Sequence, residues 1–296
     1  MAQYASVENS RKDFTYVLRG KIQRVASKIA CRFGWRKFDS KDFSLELVEF
    51  SIPGLEPVFQ QYRIVQISDI HYGQWIEWDR LRGVINLINE NSPDLVAITG
   101  DFVSYLIDDA LEEAMASLLR ELKPNDATVA VLGNHDHWAG AEKVRRILVK
   151  SGISDVSNDA RIVCRANSKL YVAGVDSVMA KKDRLDLVLE KISRDKQPAI
   201  LLSHEPDFAV KSAATKRFSL QLSGHSHGGQ FVIPELGTPF RGHLFMKYPL
   251  GEYKVGDMIQ YTNRGLGTNA YWIRVNCPPE ITVINLVRGL SKWHGI

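Results

Sequence analysis

Four short motifs in this sequence set histidine beside carboxylate, amide or glycine: Asp69-Ile-His71, Gly133-Asn134-His135-Asp136, Ser203-His204-Glu205-Pro206 and Gly224-His225-Ser226-His227. They hold five of the eight histidines, so the imidazoles are concentrated where oxygen donors stand next to them. Mixed imidazole and oxygen ligands suit manganese, iron, zinc or cobalt better than calcium or magnesium, whose sites are usually all oxygen. In an extended segment residues i and i+2 share a face. The Asp-x-His and His-x-His pairs are therefore expected to grip one ion, or to serve two adjacent ions. Each motif alone is weak, because single pairs of this kind are common in solvated loops. The ordered set is stronger, because each member follows its own apolar run.

Those runs read as strands. Phe43 to Ile52 alternates and is closed by Pro53-Gly54, and Arg63 to Ser68 leads directly into Asp69. Leu95 to Thr99 ends at Gly100-Asp101, Thr128 to Leu132 at Gly133, Ala199 to Ser203 at His204, and Phe218 to Ser223 at Gly224. Leu170 to Val175 reads as a further strand, and residues 78–91, 108–122 and 183–193 read as helices. The strand–helix alternation predicts a mixed α/β fold with at least one layered sheet. Its polar residues sit past the C-terminal strand ends, where open α/β sheets place their sites. The glycine-punctuated last third suggests antiparallel hairpins, and Gly228 and Gly229 are read as the turn that presents His225 and His227.

The chain has 296 residues, 45% hydrophobic and 24% charged, which fits one large α/β domain or one domain with an appendage. Cys31, Cys164 and Cys277 are scattered, form no CxxC pair, and fit reduced thiols better than a disulfide framework. No apolar stretch approaches the ~20 residues that span a bilayer, and no signal peptide is visible. A cytoplasmic location is expected. The net charge of +4 is uneven: residues 11–37 carry nine Lys/Arg against one acid, leaving the remainder acidic. Within that stretch Leu18, Ile22, Val25, Ala26, Ile29 and Phe33 recur at helical spacing. We divide the chain into a basic amphipathic segment, 1–40, and a catalytic domain, 41–296. The segment either lies on the anionic inner face of the cell membrane or packs its apolar stripe on the domain. Nucleic acid is disfavoured as a partner, since DNA binding rests on Lys/Arg neutralisation that the acidic domain lacks.

The order D-x-H, G-D, G-N-H-D, H, G-H-x-H over residues 64–228 resembles the calcineurin-like metallophosphoesterase superfamily. Gly224-His-Ser-His-Gly-Gly-Gln230, with Thr262-Asn-Arg-Gly-Leu-Gly267, is similar to a bacterial branch of small, often membrane-associated phosphodiesterases, covering about residues 43–287. The resemblance implies a four-layer α/β/β/α sandwich of two mixed sheets with a di-metal site at the strand ends. It implies one divalent transition-metal ion on Asp69, His71, Asp101 and His227. The second would lie on Asp101, Asn134, His204 and His225, with Asp101 shared and manganese the ion of choice in vitro. It makes His135 a general acid or a cation over the phosphoryl oxygens, oriented by Asp136.

The chemistry agrees with that assignment. A phosphodiester is anionic and repels nucleophiles, and paired cations ~3.5–4 Å apart neutralise it and acidify a water. A histidine proton donor adds ~10²–10⁴-fold. Asn263 and Arg264 are candidate substrate contacts or parts of a tight turn, and Arg241 and Lys247 are further candidate substrate contacts. His137 is read as a surface residue or a support to the site, and His243 and His294 as solvated. The expected reaction is hydrolysis of a phosphodiester or pyrophosphate. A superfamily lineage that cleaves UDP-2,3-diacylglucosamine makes an envelope lipid one version of the substrate. Phe231, Val232, Ile233, Leu244, Phe245 and Met246 are then either acyl-chain contacts or, as we lean, sheet core. The competing readings are a non-catalytic, metal-stabilised scaffold and a nuclease.

Overall fold

The computed structural model describes residues 37–105, 107–192, 197–268 and 273–289. The basic amphipathic segment up to residue 36, Cys31 and His294 lie outside the described residues. Two six-stranded mixed sheets carry the fold. The first runs in the order β1 (Ser44–Pro53), β12 (Glu280–Gly289), β2 (Tyr62–Ile67), β3 (Leu95–Ile98), β4 (Ala127–Ala130) and β5 (Ser154–Asp155). The second runs β10 (Gly251–Val255), β11 (Met258–Thr262), β9 (Leu220–Ser223), β8 (Ala199–Leu202), β7 (Ser168–Gly174) and β6 (Asp159–Arg165).

Strands buried on both faces explain the near-continuous apolar runs, because alternate residues enter different cores. Val65, Val96, Ile98 and Ala130 face outward from the first sheet, while Ile64, Leu95, Ala97 and Val129 face the second sheet. Helices α1 (Trp78–Glu90), α2 (Asp109–Leu119) and α3 (Asn134–Ser151) cover the outward face through Leu81, Ile85, Met115, Leu118, Val144 and Ile147. Helices α4 (Leu185–Lys191) and α5 (Ala209–Ala214) cover the second sheet through Leu185, Val188 and Ala209. Each fully buried aliphatic side chain contributes about 1.5–3 kcal/mol. The expected α/β/β/α sandwich is what the chain forms.

Three details differ from expectation. Among the last strands only β10 and β11 form a hairpin; β11 runs parallel to β9. Strand β12 crosses to the other sheet, parallel to β1 and antiparallel to β2, where both its apolar faces are buried. Its Ile281 and Val283 enter the outer core and Ile284 and Leu286 the inner one. The stretch from Asn134 is helical, with a break at Gly140 (φ 119°) that disrupts its periodicity. Among the described residues no helix is long and apolar enough to cross a membrane.

Candidate metal centre

The parallel pairs β2–β3–β4 and β8–β9 bring five C-terminal strand ends together between the sheets. The turns there are tighter than the extended geometry expected for Asp-x-His and His-x-His. Asp69, His71, Asp101, His225 and His227 all have positive φ, at 49°, 47°, 55°, 69° and 51°. Such conformations cost of order 1–3 kcal/mol each for non-glycine residues and persist only where surroundings enforce them. Backbone bonds do so here: Asp69 N–H donates to Gly100 O (2.9 Å), His71 N–H to Asp101 O (3.1 Å) and Gly267 N–H to Asp69 O (2.7 Å). Gly100 is required, because a Cβ there would stand 2.7 Å from His204 Nδ1 and 2.8 Å from the Gly133 nitrogen. Gly228 and Gly229, at φ 59° and 68°, form the expected turn after the His-x-His pair.

The side chains fall into two neighbouring groups, Asp69–His71–His227 and Asp101–His204–His225. In the first, His71 Nε2 lies 3.1 Å from His227 Nε2, and Asp69 Oδ1 lies 3.3 Å from His227 Nε2. In the second, His225 Nδ1 lies 3.2 Å from His204 Nε2, which lies 3.2 Å from Asp101 Oδ2. The same Asp101 Oδ2 is 3.7 Å from His71 Nε2, so this carboxylate stands between the groups. Asn134 is buried, and its Oδ1 and Asp69 Oδ1 have no hydrogen-bond partner. Orphaned buried oxygens are costly. Such oxygens, together with the facing imidazole nitrogens of the two groups, fit a pair of divalent cations.

The electrostatics point the same way. Burial, aided by the neighbouring His135 ring, holds the His71 imidazole down to about 3, and burial with His204 holds His225 to about 4. Burial and His71 likewise push His227 well down. These rings keep lone pairs for a cation. Burial alone would lower His204, but the Asp101 carboxylate outweighs it and raises the ring well above its usual value. Burial pushes Asp69 up to about 6. Thr99 O accepts from His204 Nδ1 (2.7 Å), and Ser104 Oγ lies 2.5 Å from His71 Nδ1, so both rings aim Nε2 inward.

His135 sits half-buried beside the first group, with its ring 4.9 Å from that of His71 and its Nδ1 3.2 Å from Ser104 O. Asp136 has a different task from the expected one. Its carboxylate accepts the backbone N–H groups of Asp101 (2.9 Å), Phe102 (2.8 Å), Val103 (3.3 Å) and Gly133 (2.9 Å). It fastens the Gly133 turn to the Asp101 turn and leaves the orientation of His135 to Ser104. Asn263 and Arg264 belong to the scaffold. Asn263 Nδ2 donates to Thr282 Oγ1 (2.7 Å), and Arg264 Nε donates to Glu280 (2.7 Å) while its Nη2 pairs with Glu46. Arg241 and Lys247 are exposed near His225. Arg241 donates to Met246 O (2.6 Å), and the Lys247 amide donates to Asp207 (3.0 Å). The expectation that Phe231 to Met246 is sheet core is also corrected: these side chains lie in an irregular, half-exposed loop, with the Phe245 ring 5.5 Å from that of His225.

Sequence reasoning passed over Arg274, a buried guanidinium that donates to Arg264 O (2.9 Å) and Gly265 O (3.1 Å) and lies 3.3 Å from His227 Nδ1. It also passed over Ser104. A buried arginine and a serine carry no motif of their own; Glu205 alone was flagged by adjacency to His204.

Comparison with known proteins adds to this. Residues 62–229 match the family model described as calcineurin-like phosphoesterase. The chain is 32% identical over 284 residues to the uncharacterized metallophosphoesterase YkuE of Bacillus subtilis, covering 94% of this chain and 97% of that one. It is 29% identical over 272 residues to the phosphodiesterase YaeI of Escherichia coli, covering 90% and 97%. A third similar protein, an uncharacterized metallophosphoesterase of Aquifex aeolicus, is 30% identical over 238 residues, covering 78% and 87%.

Proposed function

This chain belongs to the calcineurin-like phosphoesterase family, and from that premise we propose that it hydrolyses a phosphodiester or pyrophosphate with two divalent cations held by the residues above. One would rest on Asp69, His71, Asp101 and His227, and the other on Asp101, Asn134, His204 and His225. The observation that carries this reading is Asp101 Oδ2, placed between two imidazole-rich groups that each include or adjoin an oxygen with no partner. Divalent ions, when bound, supply charge neutralisation to the phosphoryl group and acidify water.

The chain's own residues do the rest. Asp101 keeps the two groups in register, its backbone tied by Asp136. His135 holds a proton on Nδ1 against Ser104 O, so Nε2 is the atom that gives a proton to the departing oxygen. The buried ligands exclude bulk water from all but the His135 and His225 side of the cluster.

The finer reading is an amphiphilic substrate, of the UDP-2,3-diacylglucosamine kind, met at the cytoplasmic face of a membrane through residues 11–37. It is supported by apolar side chains exposed on the loop that brings His243 and Phe245 to His225, with Leu236 80%, Phe240 59% and Met246 55% accessible, in a segment that also carries Arg241 and Lys247. Manganese is the proposed ion in vitro.

The test is hydrolysis of bis-p-nitrophenyl phosphate by the Mn²⁺-loaded chain and by His135→Ala. Turnover by the wild type, reduced by ~10²–10⁴-fold in the variant with metal retained, is expected. No turnover of any phosphoester by the wild type would favour the scaffold reading, and unchanged turnover by the variant would remove His135 from the mechanism. Deleting residues 1–37 is expected to abolish binding to anionic vesicles, and unaltered binding would refute the membrane role.

A further inference from the structure

The two metal groups are fixed by different means. Asp69 and His71 follow one strand and share one turn, so their separation is set locally. Asn134 and His204 approach from opposite sheets. Asn134 opens α3, and the break at Gly140 (φ 119°, ψ 90°) separates its first turn, 134–139, from the body of the helix. That short turn needs anchors of its own. Asp136 ties it to the first sheet through the backbone of Asp101 to Val103.

A second anchor reaches the other sheet. His137 Nε2 meets Asp176 Oδ1, on the loop after β7, at 2.6 Å. The Ser177 amide donates to the same Asp176 oxygen (2.7 Å), and Ser177 Oγ donates to Glu205 Oε1 (2.6 Å). The Val178 and Met179 amides donate to the Glu205 carboxylate at 3.0 Å each. Glu205 is fully buried and is bonded in the chain to His204. The path from Asn134 through His137, Asp176, Ser177 and Glu205 to His204 is therefore closed, and it joins the two sheets beside one metal group only.

We propose that the His137–Asp176–Ser177–Glu205 bridge sets the spacing of Asn134 from His204, and so selectively holds the cation bound by Asp101, Asn134, His204 and His225. His137 is a positioning residue in this role, acting through the turn that carries Asn134. Partners behind metal ligands are typically worth about 10–100-fold in metal affinity. The loss should fall on one ion of the two, since among the described residues the bridge's hydrogen bonds run from the Asn134 turn to the neighbour of His204.

The inference rests on the two-cation reading, and ion counting tests it apart from turnover. The full-length chain is stripped with chelator, reloaded with Mn²⁺, and its manganese counted per chain by atomic emission, with affinities from titration calorimetry. The wild type should hold two ions. His137→Ala should hold one at wild-type affinity and bind the other at least ~10-fold more weakly. His137→Gln, whose amide can still donate to Asp176, should recover most of that loss. Arg145→Ala removes a contact on the far oxygen of Asp176 (3.2 Å) without cutting the path, and should keep both ions. If His137→Ala does not fold, Ser177→Ala cuts the path at its middle and is expected to show the same one-ion loss. Two ions at wild-type affinity in His137→Ala or Ser177→Ala, or an equal weakening of both ions, would overturn the proposal. A wild type that binds two ions yet hydrolyses nothing would instead sink the functional reading.

Discussion

At the end of the sandwich away from the candidate metal centre, the carboxylates Asp94 and Asp126 are fully served. Asp94 accepts from the Arg63 amide (2.8 Å), Asn125 Nδ2 (3.0 Å) and Arg165 Nη2 (2.7 Å). Asp126 accepts from Tyr62 Oη (2.9 Å) and Arg165 Nε (3.1 Å). Arg165 comes from β6 of one sheet and both aspartates from loops of the other, so this cluster clips the layers together. At the opposite end Asp69 Oδ1 and Asn134 Oδ1 have no hydrogen-bond partner, imidazole nitrogens face one another, and five of the candidate ligand residues sit in left-handed backbone. Both ends bury polar groups between the same two sheets. One satisfies them from within the chain, and the other leaves them arranged for cations from outside. The difference teaches that stability and function are drawn from separate ends of one core.

The contrast is broken most severely at Asp101. Asp101→Ala removes the oxygen between both groups and is expected to lower kcat on the order of 10⁴-fold or more, with both ions weakened in a metal count. Retained turnover with one firmly bound ion would show that the groups act independently. Metal removal should be the next largest effect. An ion at 100 times its Kd stabilises by about 2.7 kcal/mol, so chelation should lower the melting temperature by roughly 5–10 °C at ~2–4 °C per kcal/mol. A melting curve indifferent to Mn²⁺ would mean that the site end is already satisfied.

The candidate ligands were legible because each motif follows a buried strand, and strand ends are where the fold brings distant segments together. Six of the seven expected residues, Asp69, His71, His227, Asp101, His204 and His225, fall into two groups that could each hold an ion. What was not legible depended on partners remote in sequence. Asp136 was assigned to its neighbour His135, yet its carboxylate turns to amides of residues 101–103, which only the β3–β4 pairing brings near. Arg264 and Asn263 were left as substrate contacts or parts of a tight turn, because their partners Glu46, Glu280 and Thr282 come from β1 and β12 and nothing local announces that those strands flank them. The mixed α/β class followed from strand–helix alternation, and the four-layer sandwich from the family resemblance. The crossing of β12 was hidden, because an apolar strand does not declare which sheet it will join.

The satisfied end offers two smaller tests. Arg165→Met leaves Asp94 and Asp126 short of a cation and should cost about 1–3 kcal/mol, seen as a lower urea midpoint, while kcat stays within ~2-fold. A change in kcat would mean that the two ends are coupled. The last effect is on pH. Burial raises Asp94, but the Arg63 amide, Asn125 and Arg165 outweigh it and leave the carboxyl below its ordinary value. Its contribution is therefore full above the unfolded-state pKa of about 3.9 and drains away as pH falls through the folded value. Asp94→Asn should flatten the acid limb of the stability curve and leave the curve near neutrality parallel to that of the wild type. An unchanged acid limb would assign that slope to other groups.

The pairing of β1 with β12 has a mechanical consequence. These terminal strands are adjacent and parallel over ten residue pairs, from Ser44 beside Glu280 to Pro53 beside Gly289. A tether ahead of Ser44 and another after Gly289 therefore pull on opposite ends of the same ladder. Tension along that line loads the hydrogen bonds in shear, all at once, and does not peel them one by one. The domain should rupture in a single high-force step when held by its ends, and force spectroscopy would show that step as one sharp peak.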